Sequence, residues 1–326
     1  MASYIARRLI GLVPLLLVAA TIIWTFMFYL PGDPARLIAG GQGLDPRVLE
    51  SIRSEWGLDA PPLRQYITFL AKLVRLDLGT SYIQRRPVAA ILHEAVPATV
   101  ILATASMLLS STIGLILGAY AAFRHGRLAD DLVRILAILG TSTPVFWLGL
   151  MLMLLFASPP ARLPPLGYGM NGAVVPFLGI RLPEWDHLIL PTLTLSLVSL
   201  GRVARITRSS LLDSGNAEYL RTAAAKGASA LRVFGRHALK NALIPVVTVV
   251  GLDFAALLGG AIATEYVFNW PGVGKTLVRA IALRDLPLVE GSVLLLTALF
   301  VLVNLLVDVA YVALDPRIHY GAPAAG

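Results

Sequence analysis

The stretch "NWPGVGKT", residues 269–276, ends in Gly274-Lys275-Thr276, the tail of a nucleotide-binding P-loop. A P-loop wraps phosphates with backbone N–H groups and needs a glycine five residues before its Gly-Lys pair. Asn269 holds that place here, and the segment follows a long apolar run, not a buried strand. The three loop residues Pro271, Gly272 and Gly274 therefore read as a turn beside Glu265 and Trp270, either a gate at the mouth of a pathway or a plain re-entrant turn. Two more carboxylates, Asp253 and Asp308, interrupt apolar runs. A carboxylate at the centre of a membrane helix costs roughly 2.5–3.5 kcal/mol on insertion scales, so Asp253 must face a pathway, a partner or a hydrogen-bonded helix contact. Asp308, nearer the end of its run, is expected to pair with Arg134, Arg202 or Arg205. His93, His125, His187, His237 and His319 are scattered without metal-ligand spacing, and there is no cysteine for a thiolate site. No nucleophile elbow or paired-carboxylate site appears, so the expectation is neither intrinsic catalysis nor a bound metal.

The elements that carry these residues are apolar. The 326-residue chain is 57% hydrophobic and 14% charged, against about a quarter charged in soluble domains. A spanning helix needs roughly 20 apolar residues. Six stretches qualify: 9–30, 98–123, 133–157, 188–206, 243–264 and 291–314. The first reads as a retained anchor helix, not a cleaved leader, because it outruns the usual apolar core of a leader and no small-residue cleavage site follows. The fourth is weakest, since Pro191 and a run of Thr and Ser dilute it. Helix 5 carries Ala255-x3-Gly259 and Ala256-x3-Gly260, a spacing that lets helices approach closely.

The net charge of +8 is explained by topology. Arg7, Arg8, Arg124, Arg127 and the eight bases of 202–241 fall on one side, whereas the connections 158–187 and 265–290 balance bases with acids. The positive-inside rule makes that side the cytoplasm, with both termini, and no nucleic-acid partner is needed. The long connection 31–97 is expected to hold helices: Asp45-Pro46 is an N-cap followed by N1, Gly57 is a stop, and "PLRQYITFLAKLV" has helical apolar spacing. It reads either as a small cap outside the membrane or as a surface-lying amphipathic layer. Within the basic connection, 217–226 is rich in helix formers, Gly227 is a natural stop, and Ser229 caps a second helix that runs toward Pro245. A DNA-reading helix-turn-helix, a headgroup-binding surface and a docking element for a soluble protein all fit that shape.

"EYLRTAAAKGASALRVFGRHALKNALIPVVT" (218–248) resembles the EAA loop of permease subunits in bacterial ABC importers, in the form of the peptide and nickel group. The likeness extends through "YLPGDPARLI" (29–38), "GLDAPPLRQY" (57–66), "DLGTSYIQRRPV" (77–88), "TPVFWLGLMLMLLF" (143–156), "ARITRSSLLD" (204–213), "ATEYVFNWPGVGKTLVRAIALRDLPLVEG" (263–291) and "NLLVDVAYVALDPRIHYG" (304–321). One departure is Leu76, where the group has glycine before "DLG".

The resemblance implies an all-α membrane protein with the type I importer permease fold: six transmembrane helices and a small helical extracytoplasmic insertion between the first two. It divides the chain into the N-terminal helix 1–30, the insertion 31–97, a five-helix core 98–314 with the coupling loop 207–241, and the tail 315–326. It implies a subunit of the bacterial inner membrane with no ATPase or bound cofactor of its own. The partners it implies are a second, homologous permease, two cytoplasmic ATPases that hold ATP and Mg, an extracytoplasmic solute-binding protein and membrane lipid. It places force transmission on Glu218, Tyr219, Arg221, Thr222, Ala223, Lys226 and Gly227, while the charge and spacing arguments give Asp253, Gly259 and Gly260 a pathway or interface role, with packing inside the chain as the alternative. The implied cargo is a peptide, with nickel chelates, glutathione or oligosaccharides as alternatives. A secondary transporter driven by an ion gradient would need related halves and several midplane charges. The sequence has one strong midplane acid and no evident repeat.

Overall fold

The structure is a computed structural model that describes residues 2–29, 33–39, 45–160, 162–169, 174–175, 180–215 and 239–314. Its helices are α1 (Ala2–Tyr29), α2 (Pro34–Ala39), α3 (Pro46–Trp56), α4 (Pro62–Val74), α5 (Val88–Phe123), α6 (Leu128–Ser142), α7 (Val145–Phe156), α8 (Trp185–Gly215), α9 (Leu239–Val267), α10 (Val273–Ala282) and α11 (Leu286–Leu314). The only described strands are β1 (Val174–Val175) and β2 (Ile180–Arg181), a two-residue antiparallel pair between α7 and α8.

Among the described residues three helices are long and apolar enough to cross a membrane: α5, α8 over Trp185–Ser214, and α11 over Leu286–Val307. The number reaches five if α6 with α7, and the two halves of α9, each form one bent span. The break in the stretch expected to run unbroken over 133–157 has a local cause. Thr143 precedes Pro144, and the proline ring drives its neighbour out of the helical region. Thr143 accordingly sits at φ −89°, ψ 129°, and the chain turns by 110° between α6 and α7. The other helices outrun their apolar stretches, most clearly α5, which starts at Val88, and α8, which continues to Gly215. Apolarity marks where lipid lies, not where the backbone hydrogen bonds end.

The connection between α1 and α5 follows its local signals. The Asp45 side chain accepts from Arg47 N, Pro46 starts α3, and Gly57 ends it at φ 66°. Helix α4 packs on α1 through Tyr66, whose ring lies 5.1 Å from Trp24 and whose hydroxyl is 2.7 Å from Thr21 Oγ1. Leu76, at the position where the permease group has glycine, has φ 57°. A leucine in the left-handed region sets its Cβ against the following carbonyl.

In the bundle α5 packs on α8, and α8 on α6 and α9. Close approach is set by small residues. A Cβ on Gly118 would stand 2.5 Å from Ala204 O, and one on Gly201 would stand 2.6 Å from Ala137 O. A Cβ on Gly259, by contrast, meets nothing within 4 Å. Gly140 of α6 and Gly251 of α9 also sit at close contacts, with Leu197 O and Val307, while Gly259 on α9 faces open space.

Candidate functional site

The residues of the turn after α9 converge on one buried carboxylate. Glu265 lies in the last turn of α9 and is fully buried. Thr99 of α5 donates its hydroxyl to Glu265 Oε1 at 2.7 Å and accepts Val273 N–H at 2.9 Å. Lys275 N donates to Glu265 Oε2 at 3.1 Å, with the Gly274 N–H beside it. Gly272 is required by contact: a Cβ there would lie 2.3 Å from the carboxyl group. Gly274 belongs to the first turn of α10, not to the loop expected from sequence, and its Cβ would meet Ile262 Cα at 2.5 Å.

The P-loop-like segment thus spends its amides on its own glutamate. Its other polar groups also turn inward. Lys275 Nζ donates to Asn269 O at 3.3 Å, and Thr276 Oγ1 to Gly272 O at 2.9 Å. Burial, and then Arg279 nearby, hold the Lys275 ammonium below its ordinary pKa, with Glu265 opposing. A phosphate has no place between these amides and Glu265. Trp270, buried completely, fixes the corner: its indole N–H donates to Ala98 O at 2.8 Å and its ring meets Tyr168 edge-on at 4.6 Å. Burial pushes the Tyr168 phenol up to about 12. Pro271 is exposed at the rim of a 250 Å³ cavity shared with Glu94 and Arg279.

A second carboxylate lock, which sequence reasoning missed, lies nearby. Asp285, in the turn between α10 and α11, is buried and receives Ser81 Oγ, Tyr82 N at 3.0 Å and Ile83 N at 3.4 Å. It clamps the loop before α5 to the end of α10. The available signal was a lone acid in "ALRDLP" facing the polar run "GTSYIQ".

Asp253 of α9 is 5% exposed and makes an interhelical contact inside the chain. Ser199 Oγ donates to its Oδ2 at 2.6 Å, and Arg202 Nη1 lies 2.7 Å from Oδ1. Arg202 is therefore engaged by Asp253, and Arg134 by Asp131, two of the bases expected for Asp308, whose side chain falls outside the described residues. At the far end of α5, Asp130 of α6 is also buried. It accepts from Arg208 Nε and from Arg208 Nη2 at 2.8 Å, and from Gly126 N at 3.1 Å, with His125 Nδ1 3.1 Å away. This network ties α6 to the last turns of α8, and its signal was an acid pair, Asp130-Asp131, opening an apolar helix. One His/Asp/Glu group among the described residues, Glu184, Asp186 and His187, has ligand atoms within 4.8 Å of one another. There His187 Nδ1 is taken by Leu166 O at 3.0 Å.

The force-transmitting set, Glu218, Tyr219, Arg221, Thr222, Ala223, Lys226 and Gly227, lies outside the described residues, and no side-chain account covers Gly260. The structure brings Glu265, Trp270, Gly272 and Gly274 together and leaves Asp253 and Gly259 elsewhere on α9.

Residues 114–320 match the family described as the inner membrane component of binding-protein-dependent transport systems, and residues 1–103 match the N-terminal part of such membrane components. The chain is similar to the glutathione transport system permease protein GsiC of Salmonella paratyphi A and of Salmonella typhimurium, each 41% identical over 320 residues, covering 98% of this chain and 100% of the relative. The protein of the same name from Escherichia coli is 40% identical over the same coverage.

Proposed function

The chain belongs to the family of inner-membrane components of binding-protein-dependent transport systems, and from that premise we propose how it serves as the transmembrane subunit of an ATP-driven importer. It forms half of a translocation pathway, the other half being a second, homologous permease. An extracytoplasmic binding protein delivers the solute, and two cytoplasmic ATPases supply the energy. The cargo is a short peptide, with glutathione within that class. The observation that carries this reading is end-to-end similarity to glutathione permeases at 41% identity.

Six spans follow if α1 is counted with the five. Its apolar part is Val13–Phe26, and the whole 28-residue helix is about 42 Å long, enough for a bilayer core. The excess of bases around 202–241 puts that connection and both termini in the cytoplasm. The α9–α10 corner then lies on the outer face. Residues 218–227 dock on an ATPase and pull on α9 through the chain that enters it at Leu239. The Glu265 and Asp285 locks keep the outer corner rigid, so that motion applied at the cytoplasmic end reaches the outer mouth as a tilt and not as local unravelling.

The absence of native cysteine makes the docking directly testable. Single cysteines at Lys226 and Ala228 should cross-link to an ATPase subunit in the assembled importer. An assembled complex without cross-links anywhere along 218–228 would remove the docking role.

A further inference from the structure

Outside the bundle, between α4, the loop 77–82 and the start of α11, lies a cavity of about 640 Å³ that neither Glu265 nor Asp285 lines. That volume is in the range of small-molecule sites, about 300–1,000 Å³. Its floor is one face of α11: Leu286, Glu290 and Leu294 follow one another at helical spacing. Its walls include Trp56, Phe69 and Tyr82, with Trp56 and Tyr82 edge to face at 4.9 Å.

Glu290 is the odd member of this surface. It is half-buried, lines the cavity, and makes no hydrogen bond with any described residue. A charged carboxylate drawn out of water without partners is costly, so such a group is ordinarily paired. The cation that acts on it is Lys72 of α4, which lines the cavity, is exposed and has no ion pair among the described residues. Arg64 also stands exposed on the same side of α4. The other charged lining groups are occupied or peripheral: Arg53 is held by Asp33 at 2.6 Å, Asp77 accepts Gly79 N–H at 2.9 Å, and Asp59 is exposed. The Tyr82 phenol is pushed up by burial first and then by Glu290 and Asp285, so it stays protonated beside the acid.

A carboxylate at the bottom of an aromatic-walled cavity recognises an ammonium group, through charge-assisted hydrogen bonds and the faces of the rings. Two cations at the mouth recognise an anion attached to it. The surroundings say where such a zwitterion comes from. Glu290 is in the first turns of α11, a helix long and apolar enough to cross a membrane, and the ends of such a helix meet the headgroup layer. Beside the cavity α4 exposes Leu63, Ile67 and Val74, at 70%, 56% and 85%. Apolar residues and bases on neighbouring faces are the pattern of a helix lying in the membrane interface. Trp24 and Trp56, both at the cavity, are the side chains that favour that level.

We propose that this cavity binds the headgroup of an aminophospholipid, with the ammonium on Glu290 between Trp56 and Tyr82 and the phosphate on Lys72 and Arg64. The acyl chains then run along the Leu63–Ile67–Val74 face. The site depends on the membrane setting of the chain and not on its cargo.

The test is native mass spectrometry of the purified, delipidated full chain in detergent. It is titrated with short-chain phosphatidylethanolamine, short-chain phosphatidylglycerol and soluble O-phosphoethanolamine. Phosphatidylethanolamine is expected to bind one to one and about 10-fold more tightly than phosphatidylglycerol, the worth of one hydrogen bond to a charged group. Glu290→Gln should remove that preference while leaving phosphatidylglycerol binding unchanged. Lys72→Glu, at an exposed position, should weaken phosphatidylethanolamine by a similar factor, and it decides the matter if Glu290→Gln does not fold. Equal binding of the two lipids by the native chain, a preference that survives Glu290→Gln, or phosphatidylethanolamine binding unmoved by Lys72→Glu overturns the site. Soluble phosphoethanolamine that binds as tightly as the lipid and displaces it overturns the assignment to a membrane lipid.

Discussion

Replacing Thr99 with valine isolates the hydrogen bonds of the α9–α10 corner. Valine keeps the shape of threonine and removes only the hydroxyl. That hydroxyl is completely buried, donates to Glu265 at 2.7 Å and accepts from Val273 N–H at 2.9 Å. Its loss strands one buried backbone donor and takes one of the donors from a buried carboxylate. Each stranded group costs about 1–3 kcal/mol, so Thr99→Val should destabilise the chain by about 2–4 kcal/mol. Thr264, one residue before Glu265, is the control. It is equally buried, but its hydroxyl has no hydrogen-bond partner among the described residues. Thr264→Val should therefore be neutral within about 0.5 kcal/mol, or slightly stabilising. The assay is denaturant unfolding of the full chain in mixed micelles, followed by tryptophan fluorescence, since Trp270 sits in the same corner. Equal effects of the two substitutions would refute the claim that the Glu265 network, and not generic burial, holds the corner.

The remaining predictions address other contacts. Leu76→Gly relieves a left-handed leucine at φ 57° and should stabilise the chain by about 1 kcal/mol in the same unfolding assay. Arg208→Ala leaves Asp130 buried without its main partner and should cost about 3–5 kcal/mol, while the double variant Asp130→Ala/Arg208→Ala should recover part of that loss. Asp285→Ala should free the 81–83 loop, read as faster hydrogen exchange at the Tyr82 and Ile83 amides without change at the Glu265 corner. Gly272→Ala places a Cβ 2.3 Å from the Glu265 carboxyl and should lower both stability and transport, whereas Gly259→Ala, with nothing within 4 Å, should leave stability of the isolated chain unchanged.

What could be read in the sequence follows how local each cause is. Helix α3 was fully legible, because Asp45, Pro46 and Gly57 act on their own neighbours. The six apolar runs fall on helices, three to five of them candidate spans among the described residues, but the runs did not show the helix ends or the 110° turn, although Pro144 was in plain view. A proline inside an apolar run is tolerated in membrane helices when neighbours satisfy the backbone. Pro97 and Pro191 lie within unbroken helices, so the residue type alone does not say which proline breaks one. The Glu265 corner was half legible. Sequence singled out Glu265, Trp270 and the glycines, but Thr99 is 166 positions away from Glu265 and nothing in its surroundings marks it. The Ser199–Asp253 and Arg208–Asp130 contacts are hidden in the same way, across 54 and 78 positions. The small-residue spacing was visible on α9, yet Gly259 meets nothing and close helix contacts fall on Gly118, Gly140, Gly201 and Gly251, because which face meets a neighbour is a property of the packed bundle.

The central claim is that this chain moves solute with energy supplied by partner ATPases, and that its own Gly-Lys-Thr segment is structural. The direct measurement is uptake of labelled glutathione into proteoliposomes carrying the full chain, its partner permease and the two ATPases, with binding protein on the solute side. Uptake should require ATP on the ATPase side, should stop without binding protein, and should be unaffected by collapse of ion gradients. Uptake by the chain without ATPases, driven by an imposed ion gradient, would contradict the account.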